Sequence, residues 1–142
     1  MENIIDLVIA LKNVSIFKNI PDHILADIAA IMTVESVAAG EQFIFKGKLG
    51  DEMYIIRSGE ARIHDGETQI TTLKANEIVG ELAILAPVER TADATAITDL
   101  VVFVIKRDYF ADLLSEQLEI VKGVLEALVQ RIIQTNKKLN AG

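Results

Sequence analysis

A run of short segments rich in β-branched residues, separated by glycines from Thr33 to Lys106, constrains the fold most strongly. Short strands at regular spacing between turn residues are typical of β-sandwiches and barrels. The Asp65-Gly66 pair predicts a tight hairpin, because both residue types accept a positive φ. The predicted strands are Val34–Val37, Gln42–Phe45, Met53–Ile56, Ala61–His64, Gln69–Leu73, Thr95–Ile97 and Val101–Ile105.

Helical patterns lie on both sides of this β region. Apolar residues at helical spacing predict one helix over residues 3–11 and another from Pro21 to about Met32. After the strands, Arg107–Leu114 and Glu116–Leu139 are predicted helices. On the last helix the apolar positions cover roughly 220° of the circumference, about twice what one-sided packing needs. The excess predicts a further contact, with a second copy in a homodimer, a protein partner, another part of this chain or a ligand-dependent lid.

Length and composition bound the function. The 142 residues predict a single domain over 1–142, with helices in 1–32, a β-barrel in 33–106 and helices in 107–139. The net charge of −7 argues against nucleic acid as a partner, because such binding depends on cations that face phosphates. No apolar run approaches the length of about 20 residues that a membrane span needs. The chain has no cysteine, and we expect a cytoplasmic protein.

The sequence offers little for catalysis or metal binding. His23 and His64 are far apart in sequence, and both are predicted to be ordinary surface residues. A cupin-type metal enzyme needs several histidines and a carboxylate at one metal, which two histidines cannot supply. The sequence has no nucleophile–base pairing and no Walker-type phosphate loop. We therefore expect no enzymatic activity, no metal and no cofactor.

The stretch Gly80–Ala92 carries the candidate binding chemistry. Gly80 and Glu81 open a short apolar helical turn, and Arg90 and Thr91 follow a loop that contains proline. Backbone N–H groups at a helix start favour an anion, and a guanidinium binds phosphate through two parallel hydrogen bonds. A carboxylate repels a phosphate but accepts a hydrogen bond from a sugar hydroxyl. The stretch therefore predicts a pocket for a ligand that contains both a sugar and a phosphate.

Several pieces of the chain follow one another in an order that is typical of one family. They are Leu11–Phe17, Gly40–Gly47, Asp51–Ala61, Gly80–Ala92 and Val102–Leu114. On these pieces, from about residue 11 to residue 139, the chain resembles the cyclic nucleotide-binding domains of catabolite activator proteins, kinase regulatory subunits and gated channels. The resemblance implies a mainly β fold with flanking helices. Its β part is a β-roll or jelly-roll (double-stranded β-helix) barrel of about eight strands, with helices before and after it.

The resemblance also implies roles for individual residues. Glu81 matches the carboxylate that takes the ribose 2′-hydroxyl, and Arg90 matches the guanidinium that holds the cyclic phosphate. Thr91 matches a position beside the phosphate that also affects the choice of base. The stretch Gly80–Ala92 is similar to the family's phosphate-binding cassette, and its remaining implied ligand-binding residues are Gly80, Leu82, Ala83 and Ala92. Outside it, Leu73 is implied to face the sugar and base, and Thr135 and Asn136 to lie near the base.

The implied function is regulatory binding of a cyclic nucleotide, signalled by movement of the C-terminal helices over Arg107–Leu139. cAMP is favoured over cGMP because it is the more common ligand in similar bacterial proteins. Three positions depart from the family pattern: Val79 replaces a bulky residue, Glu89 replaces a proline, and Asp93 follows closely. Two carboxylates beside Arg90 could compete with phosphate for it. The alternative is therefore an interaction module that keeps the fold but no longer binds nucleotide.

Overall fold

The computed structural model describes residues 3–141, and it is mainly antiparallel β-sheet with helices before and after the strands. The helices are α1 (Ile4–Lys12), α2 (Asp22–Ala30), α3 (Arg107–Glu116) and α4 (Leu118–Ala141), with 3₁₀ helices at Ser15–Phe17 and Glu81–Ile84. The strands are β1 (Thr33–Val37), β2 (Gln42–Ile44), β3 (Leu49–Gly50), β4 (Glu52–Ser58), β5 (Ala61–Asp65), β6 (Thr68–Leu73), β7 (Ile78–Val79), β8 (Val88–Glu89), β9 (Asp93–Ala96) and β10 (Leu100–Lys106). The described chain divides into two compact units, a β unit over residues 31–111 and a helical unit over residues 3–30 and 112–141.

The β unit contains two four-stranded sheets and a two-stranded ribbon. The first sheet has the order β1-β10-β4-β7, the second has the order β2-β9-β5-β6, and β3 pairs with β8. All neighbouring strands are antiparallel. The predicted β-roll is confirmed, but the sheets do not close into a barrel, so that part of the prediction is wrong.

Aliphatic side chains from both sheets form the core of the β unit. Burying each valine, leucine or isoleucine side chain stabilises the fold by about 1.5–3 kcal/mol. The partly buried side chains of Phe43, Tyr54 and Leu73 pack against this core. One cluster of this core consists of Val37, Ile56, Ala61, Ala96, Leu100, Val102 and Val104. Tyr54 and Leu73 also lie near the candidate site, so these side chains contact both the core and the site.

Two local features differ from the sequence-based expectation. The β5–β6 hairpin turns at Gly66 and Glu67, one residue later than predicted, because Asp65 still pairs with Thr68. Gly66 has a φ of 58°, so the glycine supplies the left-handed residue of the turn. The strands β3, β7 and β8 were not predicted, since two residues are too few to show an alternation of apolar and polar side chains.

The helical unit begins with a capped helix. The side chain of Asn3 accepts a hydrogen bond of 2.9 Å from the N–H of Asp6, which satisfies one donor at the start of α1. Lys12 at the other end of α1 forms an ion pair of 3.0 Å with Asp22. In this unit α1 contacts α2, and α4 contacts the 3₁₀ helix Ser15–Phe17.

Helix α4 buries one side and exposes another that is also apolar. Ile120, Val124 and Ala127 are buried. The apolar residues Leu125, Val129, Ile132 and Ile133 are between 47% and 59% exposed. The wide apolar circumference predicted for this helix is therefore present, and four large side chains of it face solvent.

Candidate ligand-binding site

A cavity of about 470 Å³ opens in the β unit beside the 3₁₀ helix Glu81–Ile84. Its size lies within the range of about 300–1,000 Å³ that is typical of small-molecule sites. Eight of the residues predicted to bind ligand line it: Leu73, Gly80, Glu81, Leu82, Ala83, Arg90, Thr91 and Ala92. Apolar side chains complete much of the wall, among them Ile44, Ile63, Ile78 and Val88. The arrangement combines an apolar wall with one guanidinium and several carboxylates.

Gly80 starts the 3₁₀ helix in a conformation that only glycine adopts easily. Its φ of 82° and ψ of 26° lie in the left-handed region. A Cβ at this position would also collide with Nη1 of Arg90 and lie 3.1 Å from the carbonyl oxygen of Glu52. Glu81 follows as the first residue of the helix, half-buried and in the cavity wall. Backbone conformation and the nearby guanidinium therefore both require glycine before Glu81.

Arg90 is fixed by its main chain and by its side chain. Its N–H donates to the carbonyl of Lys48 at 2.7 Å, and its carbonyl accepts from the N–H of Gly47 at 2.9 Å. Its Nη2 donates to the carbonyl oxygen of Glu52 at 2.7 Å. Its Cζ lies 5.9 Å from the centroid of the Tyr54 ring, within the range of a cation–π contact. The guanidinium is thus held on the cavity wall by a neutral carbonyl and a ring.

Tyr54 is the aromatic support of Arg90. Its ring meets the Phe43 ring edge-on, with centroids 5.4 Å apart and an interplanar angle of 82°. Its hydroxyl donates to Oε1 of Glu52 at 3.1 Å. Burial, and next the nearby negative charge of Glu52, raise the pKa of Tyr54 well above its usual value of 10. The phenol therefore stays neutral and keeps its hydrogen bond at physiological pH.

Asp93 also lines the cavity, but its carboxylate is directed to other loops of the β unit. Oδ1 accepts from the N–H of Lys46 at 2.8 Å and from Nε2 of Gln42 at 3.0 Å. Oδ2 accepts from the N–H of Gly66 at 3.3 Å. These hydrogen bonds, led by the one from Lys46, lower the pKa of Asp93. Asp93 thus acts as an anchor for two loops, a role that the sequence did not indicate.

The prediction that His64 is a surface residue is wrong, because its side chain is only 5% exposed. Its Nδ1 lies 2.7 Å from the carbonyl of Gly66, which can only accept, so Nδ1 carries the proton. Its Nε2 lies 2.7 Å from the hydroxyl of Thr95. Its two partners lie on the β5–β6 turn and on β9, and a sequence pattern does not show such contacts between separate segments. His23 is exposed, as predicted.

Two predicted residues are not among those that line the cavity. Thr135 and Asn136 are exposed on α4, in the helical unit. The hydroxyl of Thr135 donates to the carbonyl of Arg131 at 2.9 Å, one turn earlier on the same helix. Contact between these residues and a base stays a prediction.

Residues 3–141 contain neither a metal-binding group of side chains nor a membrane-spanning helix. Within this range no three histidine, cysteine, aspartate or glutamate side chains group closely enough to hold a metal ion. None of the helices in the same range combines the length and hydropathy that crossing a bilayer requires.

Comparison with known proteins identifies the family. A family model described as "Cyclic nucleotide-binding domain" matches residues 34–117, which is more than half of the chain. The chain therefore belongs to the cyclic nucleotide-binding domain family. The matched range includes all ten strands of the described chain, residues 3–141, apart from Thr33 at the start of β1, and it includes most of the cavity wall.

Individual relatives agree with this assignment. The "CRP-like cAMP-activated global transcriptional regulator" of Mycobacterium tuberculosis (strain CDC 1551 / Oshkosh) is 29% identical over 134 residues, covering 91% of this chain and 60% of the regulator. A "cAMP-dependent protein kinase regulatory subunit" of Yarrowia lipolytica is 34% identical over 114 residues, covering 79% of this chain and 30% of the subunit. The chain thus spans less than two thirds of both relatives. The solved N-terminal domain of a transcriptional regulator from Streptomyces coelicolor A3(2) has a TM-score of 0.83 at 25% identity, with 91% of this chain and 93% of that chain covered.

Proposed function

We propose that the chain is a regulatory module that binds cAMP, in preference to cGMP, in the cavity beside Glu81 and Arg90. The observation that carries the proposal is the Arg90 guanidinium, which lies on the cavity wall with a neutral carbonyl as its hydrogen-bond acceptor. A cyclic phosphate diester carries one negative charge, which one guanidinium can match. Glu81 on the same wall is suited to accept a hydrogen bond from a ribose hydroxyl.

The choice of cAMP rests on the relatives, whose names specify cAMP for both the bacterial regulator and the kinase subunit. In the proposed pose the phosphate faces Arg90 and the amides of the 3₁₀ helix, and the ribose faces Glu81. Leu73 and its apolar neighbours then contact the sugar and base. Thr135 and Asn136 are proposed to reach the base from the last helix. Binding is not followed by a chemical step, and the proposed location is the cytoplasm.

Thermal unfolding with cAMP, cGMP and 5′-AMP tests this proposal. Ligand at 100 times its Kd should add about 2.7 kcal/mol to the free energy of unfolding, which raises Tm by several degrees. We expect this shift with cAMP, a smaller one with cGMP and none with 5′-AMP. Arg90→Ala should lose the shift. Arg62→Ala is the matched control, because Arg62 lies on β5 and is not among the cavity-lining residues.

A shift with cAMP that persists in Arg90→Ala would show that another group holds the phosphate. The absence of a shift with either cyclic nucleotide would favour a second function, an interaction module that has lost ligand binding. Glu89 and Asp93 give that alternative its support, because both carboxylates line the same cavity as Arg90. Their negative charge weakens the attraction for an anion.

The signal is proposed to leave through the C-terminal helices, by their movement and by contact of α4 with a second copy or a protein partner. The exposed apolar side chains of α4, from Leu125 to Ile133, support such a contact. Light scattering coupled to size-exclusion chromatography, with and without cAMP, measures the oligomeric state. A monomer in both conditions would exclude the homodimer and leave the protein partner.

A further inference from the structure

Gly50 on β3 lies against the guanidinium of Arg90 although it is not among the residues that line the cavity. A Cβ at Gly50 would lie 2.5 Å from Cζ, 2.6 Å from Nε and 2.9 Å from Nη1 of Arg90. Carbon atoms that are not bonded normally stay about 3.5–4.0 Å apart. Position 50 is buried, so a side chain there would have to take the place that the guanidinium now fills.

Backbone conformation does not explain this glycine. Gly40, Gly47, Gly59, Gly66 and Gly80 have positive φ values, whereas Gly50 does not belong to this group. An alanine at position 50 would therefore suffer no left-handed strain. The contact with Arg90 is the structural requirement for glycine at this position.

Four groups enclose the guanidinium, and together we call them the guanidinium slot. They are the Cα of Gly50, the main-chain carbonyl of Glu52, the ring of Tyr54 and the Cα of Gly80. Two of the four are glycines, which let the main chain approach the planar guanidinium closely. The slot therefore fixes the orientation of the guanidinium as well as its position.

Arg107, the first residue of α3, forms hydrogen bonds with the main chain at Gly50 and at residues neighbouring the slot. Its Nη1 donates to the carbonyl of Gly50 at 2.7 Å and to the carbonyl of Ala83 at 3.0 Å. Its N–H donates to the carbonyl of Asp51 at 2.8 Å. Because Gly50 also pairs with Val88 in the ribbon, its main chain cannot move away easily to make room for a side chain.

We propose that Gly50 is a positioning residue for Arg90. Gly50 determines which edge of the Arg90 guanidinium faces the cavity, and thereby the affinity of this guanidinium for phosphate. The affinity part of this proposal rests on the proposed function, whereas the slot itself does not need a ligand. Two parallel hydrogen bonds to a phosphate require an aligned edge of the planar group. A side chain at position 50 pushes the guanidinium out of this alignment.

Calorimetric titration with cAMP tests the effect on affinity in Gly50→Ala and in Leu49→Ala. Leu49 is the matched control, because it is the neighbouring residue on β3 and is 70% exposed. Losing one hydrogen bond to a charged group weakens binding by about tenfold or more, and we expect this for Gly50→Ala. Leu49→Ala should bind within about twofold of the wild type. Wild-type affinity in Gly50→Ala would overturn the proposal.

A ligand-free measurement separates this proposal from the proposed function. The ¹H–¹⁵N resonance of Arg90 Nε, assigned by its loss in Arg90→Lys, reports on the surroundings of the guanidinium. It should shift in Gly50→Ala and stay in place in Leu49→Ala. An unchanged resonance in Gly50→Ala would overturn the slot, whether or not the wild type binds a cyclic nucleotide. If the wild type binds none, only the proposed function fails.

A double variant covers the case in which Gly50→Ala does not fold. Arg90→Ala empties the slot and leaves room for a Cβ at position 50. If Gly50→Ala combined with Arg90→Ala folds, the conflict was with the guanidinium and the proposal is supported. If the double variant is also unfolded while Arg90→Ala alone folds, another neighbour requires the glycine and the proposal is wrong.

Discussion

Arg90 and Asp93 lie three residues apart, carry opposite charges and line the same cavity, yet the structure holds them by different means. The Arg90 guanidinium donates to a main-chain carbonyl and lies over the Tyr54 ring, 5.9 Å from its centroid. The Asp93 carboxylate accepts hydrogen bonds at both of its oxygens, from two main-chain N–H groups and one amide side chain.

The difference lies in how much of each group's hydrogen-bonding capacity is used inside the fold. A guanidinium has five N–H donors, and the contact with Glu52 uses a single nitrogen of Arg90. The carboxylate of Asp93 accepts three hydrogen bonds from other segments of the β unit. We therefore expect Arg90 to matter mainly for ligand affinity and Asp93 mainly for stability.

Arg90→Lys should give the largest effect on binding. Lysine keeps the positive charge but lacks the planar fork that forms two parallel hydrogen bonds, so the Kd for cAMP should rise by about tenfold or more. The Tm of the ligand-free protein should change little. Calorimetric titration and thermal unfolding measure the two quantities. A large loss of Tm with an unchanged Kd would show that Arg90 matters mainly for stability, contrary to this expectation.

Asp93→Ala should give the largest effect on stability. It leaves the N–H groups of Lys46 and Gly66 and the amide of Gln42 without their acceptor, so Tm should fall by several degrees. Asp65→Ala is the control, because it removes only the exposed ion pair with Lys46, and such pairs contribute little. Equal losses of Tm in the two variants would contradict the anchoring role of Asp93.

The same carboxylate predicts a pH dependence. Because the pKa of Asp93 is lower in the folded protein than its ordinary value of 3.8, its contribution is present above that value. It is lost as the pH falls through the folded pKa. Urea unfolding from pH 6 to pH 3 measures the free energy of unfolding of the wild type and of Asp93→Asn, and the difference between the two should become smaller at the acidic end. A difference that grows on acidification would contradict this role of Asp93.

Tyr54→Phe should give the smallest effect. It keeps the ring against Phe43 and Arg90 and removes only the hydrogen bond to Glu52. We expect the Kd for cAMP to change by less than about threefold, since the cation–π contact of about 0.5–1 kcal/mol is retained. Tyr54→Leu removes the ring as well and should weaken binding further. Equal effects of the two variants would show that the ring does not support the guanidinium.

The sequence predicts best the features that a short contiguous stretch encodes. Short segments rich in β-branched residues between glycines located the longer strands, and the Gly80–Ala92 stretch contains most of the predicted residues that line the cavity. The slot around Arg90 could not be predicted in this way. Gly50 and Tyr54 are about 40 residues from Arg90 in sequence, and the Glu52 contact uses a main-chain carbonyl that every residue type has.

His64 and Asp93 show a second limit of sequence patterns. The partners of the His64 ring, Gly66 and Thr95, come from the hairpin turn and from β9, and no residue type marks these contacts in advance. The carboxylate of Asp93 was interpreted as a competitor for Arg90, because the two are close in sequence. In the structure its partners are Lys46 and Gly66 from two loops and Gln42 from β2, all distant in sequence, and only the pairing of the strands brings them together.

The main-chain bonds around Lys46 have a consequence for amide hydrogen exchange. Lys46 and Gly47 are exposed residues in a loop, where amide protons normally exchange quickly with solvent. Here the N–H of Lys46 is bonded to Asp93 and the N–H of Gly47 to the carbonyl of Arg90. Exchange of the Gly47 amide therefore requires separation from the main chain of Arg90, and exchange of the Lys46 amide requires release from the Asp93 carboxylate. The exchange rate of the Gly47 amide reports how often the main chain at Arg90 separates from this loop, and that of Lys46 how often the Asp93 carboxylate lets go of it, with or without ligand.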